Sequence, residues 1–317
     1  MPISFASQQD RPYAISNSLP RSTNRPTWRI EWNTCRYDRT RVRAKRKPVS
    51  LSVVAITLTL FVGSVAIADD DTAQSQAMQA WIGKGRGLAS WSGNQIPFKD
   101  GDKVIFFGDS ITSSGTSGNG YITLMDRALK KSHPELKVLL VNSGNSGNKV
   151  PNLQARLHSD VLSKKPTVLF IYIGINDVWH DTAWDGSGTP PYAFKAGLQH
   201  IIEKSRDRGA AIVLATPSVI GEKTDGSNEL DKRLDEYATI SRELAKEMNV
   251  TLCDLRAAFM DYLKQHNSNN KEKGVLTVDR VHLNDLGNQL VAHKAAEAIS
   301  EALKQLGGKP DAQITTP

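Results

Sequence analysis

From about residue 100 onward, short runs of apolar, β-branched and aromatic residues alternate with longer stretches whose apolar positions recur at helical spacing. The short runs fall at 103–107, 137–141, 167–173, 211–215 and 250–253. A strand with one face in water would alternate apolar and polar residues. These runs are nearly continuous, which predicts strands of a parallel sheet buried on both faces. Helices are predicted between them at 121–131, 152–163, 192–208 and 230–248; in the last, Leu234, Tyr237, Leu244 and Met248 share one face. A final helix is expected at 284–306, capped by Asn284 or Asp285. Strand followed by helix, repeated five times, predicts a three-layer, doubly wound (flavodoxin-like) α/β domain with a five-stranded parallel sheet over 101–306. Residues 69–100, with Trp81, Trp91 and several glycines, read as a wrap over that core, and 307–317 as a disordered tail.

Charge changes this picture only at the N-terminus. The formal net charge of +7 would point to nucleic acid or a membrane surface if it were spread along the chain. Residues 1–68 hold 11 Lys/Arg and 3 Asp/Glu, however, which leaves 29 and 30 for the rest. No nucleic-acid partner is expected. The basic stretch "RTRVRAKRKPVS" is followed by the apolar run "LSVVAITLTLFVGSVAIA" at 51–68, which ends in the small-x-small pattern Ala66-Ile67-Ala68. Together they predict a signal peptide cleaved after Ala68 and export to the periplasm or beyond; the alternative is an uncleaved anchor at 51–68, the only membrane contact expected. A positive region this long is explained if translation begins at Val42, leaving 1–41 untranslated. Cys35 falls in the leader, so the exported part keeps only Cys253, which sits in an apolar run and is expected to be buried and inert.

Ligands of doubly wound sheets bind beyond the carboxyl ends of the strands, and four short motifs stand at such places. "GDS" puts Ser110 after the first strand, with Asp109 beside it. "NSGNSGN" follows the second and offers backbone N–H groups unobstructed by side chains, with Asn148 at its end. "GIND" follows the third and provides the Asn176 amide as a donor. "VDRVHLND" then places Asp279 three residues before His282, a spacing at which the carboxylate can hold Nδ1–H and leave Nε2 as a base for a serine hydroxyl. A serine needs such a base to attack at neutral pH. His180, flanked by Asp177 and Asp181, is a second histidine after a strand and a candidate for the cleft.

In this order and spacing the four blocks resemble the SGNH hydrolase superfamily, the GDSL-type esterases and lipases. The resemblance spans 104 to about 295. It implies Ser110 as nucleophile, His282 as general base and Asp279 as its orienting partner. The implied oxyanion hole is the Ser110 N–H, the Gly147 N–H, preferred to that of Gly144, and the Asn176 side chain. It implies no metal and no other cofactor. The chain also has no G-x-S-x-G elbow, no H-E-x-x-H and no G-x-G-x-x-G.

The expected activity is that of an exported serine esterase forming an acyl-enzyme from a small-molecule or polysaccharide ester. Asp109, Asn148, Trp179, His180 and Trp184 are candidates for the substrate cleft, since "VWHDTAW" after the third block carries aromatics that can stack on sugar rings. That suggests a carbohydrate O-deacetylase. Lysophospholipase or thioesterase activity, acyl transfer to a sugar and a non-catalytic binding module are the alternatives.

Overall fold

The computed structural model describes residues 75–80, 87–91, 96–180 and 186–307. The leader, Trp81, Asp181, Trp184 and residues 308–317 of the expected tail lie outside the described residues, while Gly307 closes the last helix.

Five strands form one parallel sheet in the order β2-β1-β3-β4-β5: β1 Lys103–Gly108, β2 Leu139–Gly144, β3 Val168–Tyr172, β4 Ala211–Ala215 and β5 Thr251–Cys253. This is the doubly wound order expected. The inner strands are buried through almost their whole length because the apolar runs VIFF, VLFIY and IVLA put side chains into both helical layers. Helices α1 (Ser110–Ser113) and α2 (Tyr121–Ser132) follow β1, α3 (Val150–Asp160) follows β2, and α4 (Ile175–Trp179) and α5 (Pro191–Arg206) follow β3. After β4 comes α6 (Asp231–Glu247), and after β5 come α7 (Leu255–His266) and α8 (Asp285–Gly307). Helix α8 packs on α2, α7 and the strands β3, β4 and β5, while α3, α5 and α6 pack in series on one another. The core between sheet and helices buries Phe106, Phe107 and Phe170 from the strands and Phe194 and Tyr237 from α5 and α6.

Strand β2 and the segment after β5 depart from the sequence expectation. Strand β2 was expected to end at Val141, where the apolar residues stop. It runs on to Gly144 because Asn142, Ser143 and Gly144 pair with Phe106, Phe107 and Gly108 through the backbone, and Asn142 finds partners of its own in the Thr112 and Ser113 carbonyls at 2.8 and 3.0 Å. Helix α7 was not anticipated between the fifth strand and the last helix. Its signals are nevertheless present: Leu255, Phe259, Tyr262 and Leu263 lie on one buried face, and the Asp254 side chain caps Ala257 N at 3.1 Å.

The described part of 69–100 runs along α8. Leu88 N donates to His293 Nδ1 at 3.2 Å, Gly87 N to Glu297 Oε1 at 3.1 Å and the buried Trp91 Nε1 to Ser300 Oγ at 2.9 Å. Burial pushes His293 down to about 4, against the pull of Glu297, so its ring stays neutral and can accept that N–H. Cys253 is buried, and burial pushes its thiol well up, as expected of an inert cysteine. Among the described residues no helix is long and apolar enough to cross a membrane.

Candidate active site

Gly108 pairs with Gly144 on one side and with Tyr172 on the other, so the carboxyl ends of β1, β2 and β3 are level and their loops open on one edge of the sheet. This edge is where the doubly wound topology leaves room for a ligand.

Ser110 is the first residue of α1. The turn into that helix is set by Asp109, whose Oδ1 accepts the Ile111 N–H at 3.0 Å. Asp109 was expected in the wall of the cleft. It lies instead beneath the floor, 1% exposed, because its carboxylate turns inward to cap the helix. Burial pushes this carboxyl up to about 7 against the Ile111 N–H, and the nearby Asp177 charge pushes it the same way. A carboxyl with a folded pKa near 7 and an ordinary unfolded one destabilises the fold progressively as pH rises between about 4 and 7. Asp109→Asn keeps an acceptor for Ile111 and removes that penalty, worth up to about 4 kcal/mol. Its melting temperature is expected to exceed that of the parent at pH 8, the margin shrinking towards pH 4.5. A margin independent of pH would show that Asp109 does not carry this burden.

The second loop distinguishes its glycines by what surrounds them. A Cβ on Gly144 would lie 2.1 Å from Ser113 N, so that glycine is needed for close contact between β2 and α1. Gly147 has open space around it and a φ of +75°, a conformation that leaves its backbone exposed at the edge of the sheet. In the third loop, Asn176 is buried on α4 and its Nδ2 donates to Asn148 O at 3.1 Å, which joins the second and third loops. Asp177 is buried too. Its Oδ1 accepts Val150 N at 3.0 Å and its backbone carbonyl accepts Thr189 N, so it anchors α3 and the chain leading into α5. Burial pushes its carboxyl up to about 6, opposed by the Thr189 hydroxyl and the Val150 N–H. Trp179 is half-buried against the core, and His180 follows it, also half-buried.

Asp279 and His282 arrive from the loop before α8, whose start is capped by Asn284 Oδ1 accepting Gly287 N at 3.0 Å. Both oxygens of Asp279 are engaged: Oδ1 accepts Val281 N at 3.1 Å and His282 N at 2.8 Å, and Oδ2 meets His282 Nδ1 at 2.7 Å. Partial burial raises the Asp279 carboxyl, but the His282 N–H, the imidazole and the Val281 N–H together hold it below the usual carboxylate range. An ionised Asp279 keeps the proton on Nδ1. His282 Nε2 then faces Ser110 Oγ at 2.8 Å with its lone pair towards the hydroxyl. A proton can pass from Oγ to Nε2 along this contact as Oγ attacks a carbonyl carbon.

One residue of this region escaped sequence reasoning. Arg156, on α3, donates from Nε to Asn148 Oδ1 at 2.8 Å and from its terminal nitrogens to Ser143 O and Gly108 O, both at 2.8 Å, and to Asp160 at 2.6 Å. Its guanidinium stacks 4.4 Å above the Phe107 ring. It therefore ties the end of β1, the end of β2 and the Asn148 loop into one unit. The available signal was a charged residue between Leu153 and Leu157 on the buried face of α3, four residues before Asp160.

Comparison with known proteins fits this geometry. A model of the GDSL-like lipase/acylhydrolase family matches residues 106–290. An acetylxylan esterase from Geobacillus stearothermophilus is 32% identical over 207 residues, covering 61% of this chain and 91% of the relative. Among solved structures, the acetyl xylan esterase AlAXEase is 46% identical with a TM-score of 0.61, covering 62% of this chain and 99% of its own. LAE5, an alpha/beta hydrolase from the metagenome of Lake Arreo, Spain, is 29% identical with a TM-score of 0.58, covering 66% of this chain and 99% of its own.

Proposed function

This chain belongs to the GDSL-like lipase/acylhydrolase family and is a carboxylic ester hydrolase, and from that premise we propose that Ser110, His282 and Asp279 carry its reaction and that its substrate is an acetylated xylan-type polysaccharide. The observation that carries the residue assignment is the unbroken line from Asp279 Oδ2 through His282 to Ser110 Oγ, with contacts of 2.7 and 2.8 Å.

The Ser110 oxygen bonds to the acetyl carbonyl carbon while His282 Nε2 takes the hydroxyl proton. The charge that develops on the carbonyl oxygen is received by the N–H groups of Ser110 and Gly147 and by the Asn176 amide. When the tetrahedral species collapses, the bond to the sugar oxygen breaks and His282 returns the proton to that oxygen, which frees the sugar hydroxyl. Water then attacks the acetyl-serine, His282 takes one of its protons, and, as Ser110 Oγ regains that proton, acetic acid leaves and ionises to acetate in solvent. Asp279 stays ionised throughout and stabilises the imidazolium that forms twice in the cycle.

The choice of acetyl groups on xylan is supported by the two acetylxylan esterases described above, of which this chain covers 91% and 99%. Export of the enzyme, cleaved after Ala68, belongs to the same proposal and would bring it to a polymer that does not enter cells. With the full-chain protein, acetate release from acetylated xylo-oligosaccharides is expected, and kcat/KM on chromogenic esters should drop at least about tenfold from acetyl to octanoyl, because selection for acetyl groups requires longer acyl chains to be bound less well in the transition state. A rate that climbs with acyl length, with no acetate released from the oligosaccharide, would replace this reading with a lipid or thioester substrate.

A further inference from the structure

Asp279 and His282 stand on a narrow turn outside the sheet. Its two arms are held to each other by an isolated antiparallel bridge between Thr277 and Leu283, by Val278 N donating to His282 O at 2.8 Å and by Asn284 N donating to Leu276 O at 3.0 Å. Such a pair of arms fixes its own shape, but it does not fix where the turn sits relative to Ser110. Some other part of the fold must supply that reference.

Beneath the first arm lies Glu222, which is fully buried. Its Oε1 accepts from Leu276 N at 2.7 Å, Thr277 N at 2.5 Å and Thr277 Oγ1 at 2.8 Å, and its Oε2 accepts from Val275 N at 2.8 Å. Three consecutive backbone N–H groups thus converge on one carboxylate, which takes the place that a neighbouring strand would occupy in a sheet. A buried carboxylate is costly unless its oxygens are satisfied, and bonds to a charged acceptor are shorter and stronger than neutral ones, so the donors and the acceptor hold one another in a single arrangement. Glu222 is itself anchored at both ends of its peptide unit: its N–H donates to Glu272 O at 2.9 Å, and its carbonyl accepts from Asn267 Nδ2 at 2.8 Å.

The same support extends to the tip of the turn. Arg280, between Asp279 and His282, has a φ of +92°, a conformation that a residue with a side chain keeps only where its surroundings impose it. Gly221 N donates to Arg280 O at 2.9 Å, Arg280 N donates to Thr277 Oγ1 at 3.2 Å and the guanidinium pairs with Glu272 at 3.0 Å. Glu222 and its neighbour Gly221 therefore hold the turn at its base and at its tip. We infer that Glu222 is a positioning residue of the esterase, whose buried carboxylate fixes the arm carrying Asp279 and His282 and so sets the imidazole at bonding distance from Ser110. The inference rests on the roles proposed above for those three residues.

The test compares Glu222→Gln, Thr277→Val and Leu198→Ala in the full chain, the last being a core change on α5 remote from the turn. Glu222→Gln keeps the shape but turns an N–H donor towards a backbone N–H. It is expected to lower kcat on an acetyl ester by about 10- to 100-fold with KM within about twofold, as a small displacement of a reacting group does. The downfield proton resonance of His282 Nδ1–H, assigned by its absence from His282→Ala, should broaden or vanish. Thr277→Val, which loses only the hydroxyl, should lower kcat by about 3- to 10-fold. Leu198→Ala should lower the melting temperature while keeping kcat per folded molecule and the resonance. The inference is overturned if Glu222→Gln folds with an unchanged resonance and kcat within about twofold of the parent, or if Leu198→Ala loses as much kcat for the same fall in melting temperature. Should Glu222→Gln not fold, Thr277→Val decides, and an unaltered kcat there overturns it. Failure of the underlying roles looks different: Ser110→Ala would then keep its activity whatever stands at 222.

Discussion

Replacing Ser110 with alanine is expected to lower kcat on an acetyl ester by at least about 10⁴-fold, and by as much as about 10⁶-fold, while leaving the melting temperature almost unchanged. In the proposed mechanism the hydroxyl oxygen is the atom that receives the acyl group, and it stands 2.8 Å from His282 Nε2. The N–H groups and the Asn176 amide would remain, and they sustain only the slow attack of water on a bound ester. Ser110 is half-buried, and deleting one oxygen there changes stability by a few tenths of a kcal/mol. In the proposed mechanism the serine and the imidazole act as one unit, and Ser110→Ala/His282→Ala is then expected to be no slower than Ser110→Ala alone. The pair of measurements is decisive in one direction: residual activity within about tenfold of the parent would mean that another residue is the nucleophile.

The second large effect concerns Asp279. In Asp279→Asn the amide oxygen is retained by the two backbone N–H groups of Val281 and His282 that now bind Oδ1. The amide NH₂ is thereby turned towards Nδ1, which can accept it only by giving up its own proton. The proton moves to Nε2, where it points at Ser110 and blocks the base, so kcat is expected to fall by about 10³- to 10⁴-fold with KM little changed. Asp279→Ala should be the milder change. The side chain is 49% exposed, so water can enter the vacated space, accept from Nδ1–H and keep the productive tautomer. If alanine proves as damaging as asparagine, Asp279 acts by its charge and not by selecting the tautomer. Because its carboxyl is held below the usual range, Asp279 remains ionised as pH falls through the region in which ordinary carboxylates titrate, so the orientation of His282 persists there.

Much of this site was legible in the order of the residues. Gly108-Asp109-Ser110, the Asn-Gly loop, Asn176 and the pair Asp279 and His282 all stand next to elements that the apolar pattern reveals, and strand ends are where such a fold leaves polar groups uncovered. The partnership of Asp279 with His282 is a three-residue affair, settled by local turn geometry. The supports were harder to see. Asp109 looked like a cleft residue because a carboxylate beside a serine at a strand end is usually in water, and only the packing of α1 shows it turned inward. Arg156 and Glu222 carry no motif. Each is one charged residue in an ordinary stretch, and each acquires meaning from carbonyls or N–H groups 13 to 55 positions away in the chain.

The amino-acid sequence by itself determined most of the strands and helices, all but α7 and the end of β2, together with their parallel arrangement, the end of the sheet at which the candidate site lies and the residue types brought to it, because apolar periodicity and turn preference act over a few neighbours. Tertiary structure alone decided that His282, 172 positions from Ser110, comes within 2.8 Å of it, that Asp109 is buried, and that Glu222 and Arg156 brace the loops on either side. The physical reason is that these contacts are made by hydrogen-bonding groups whose partners are fixed by where the helices dock on the sheet, and docking depends on the summed packing of two layers rather than on any local run of residues.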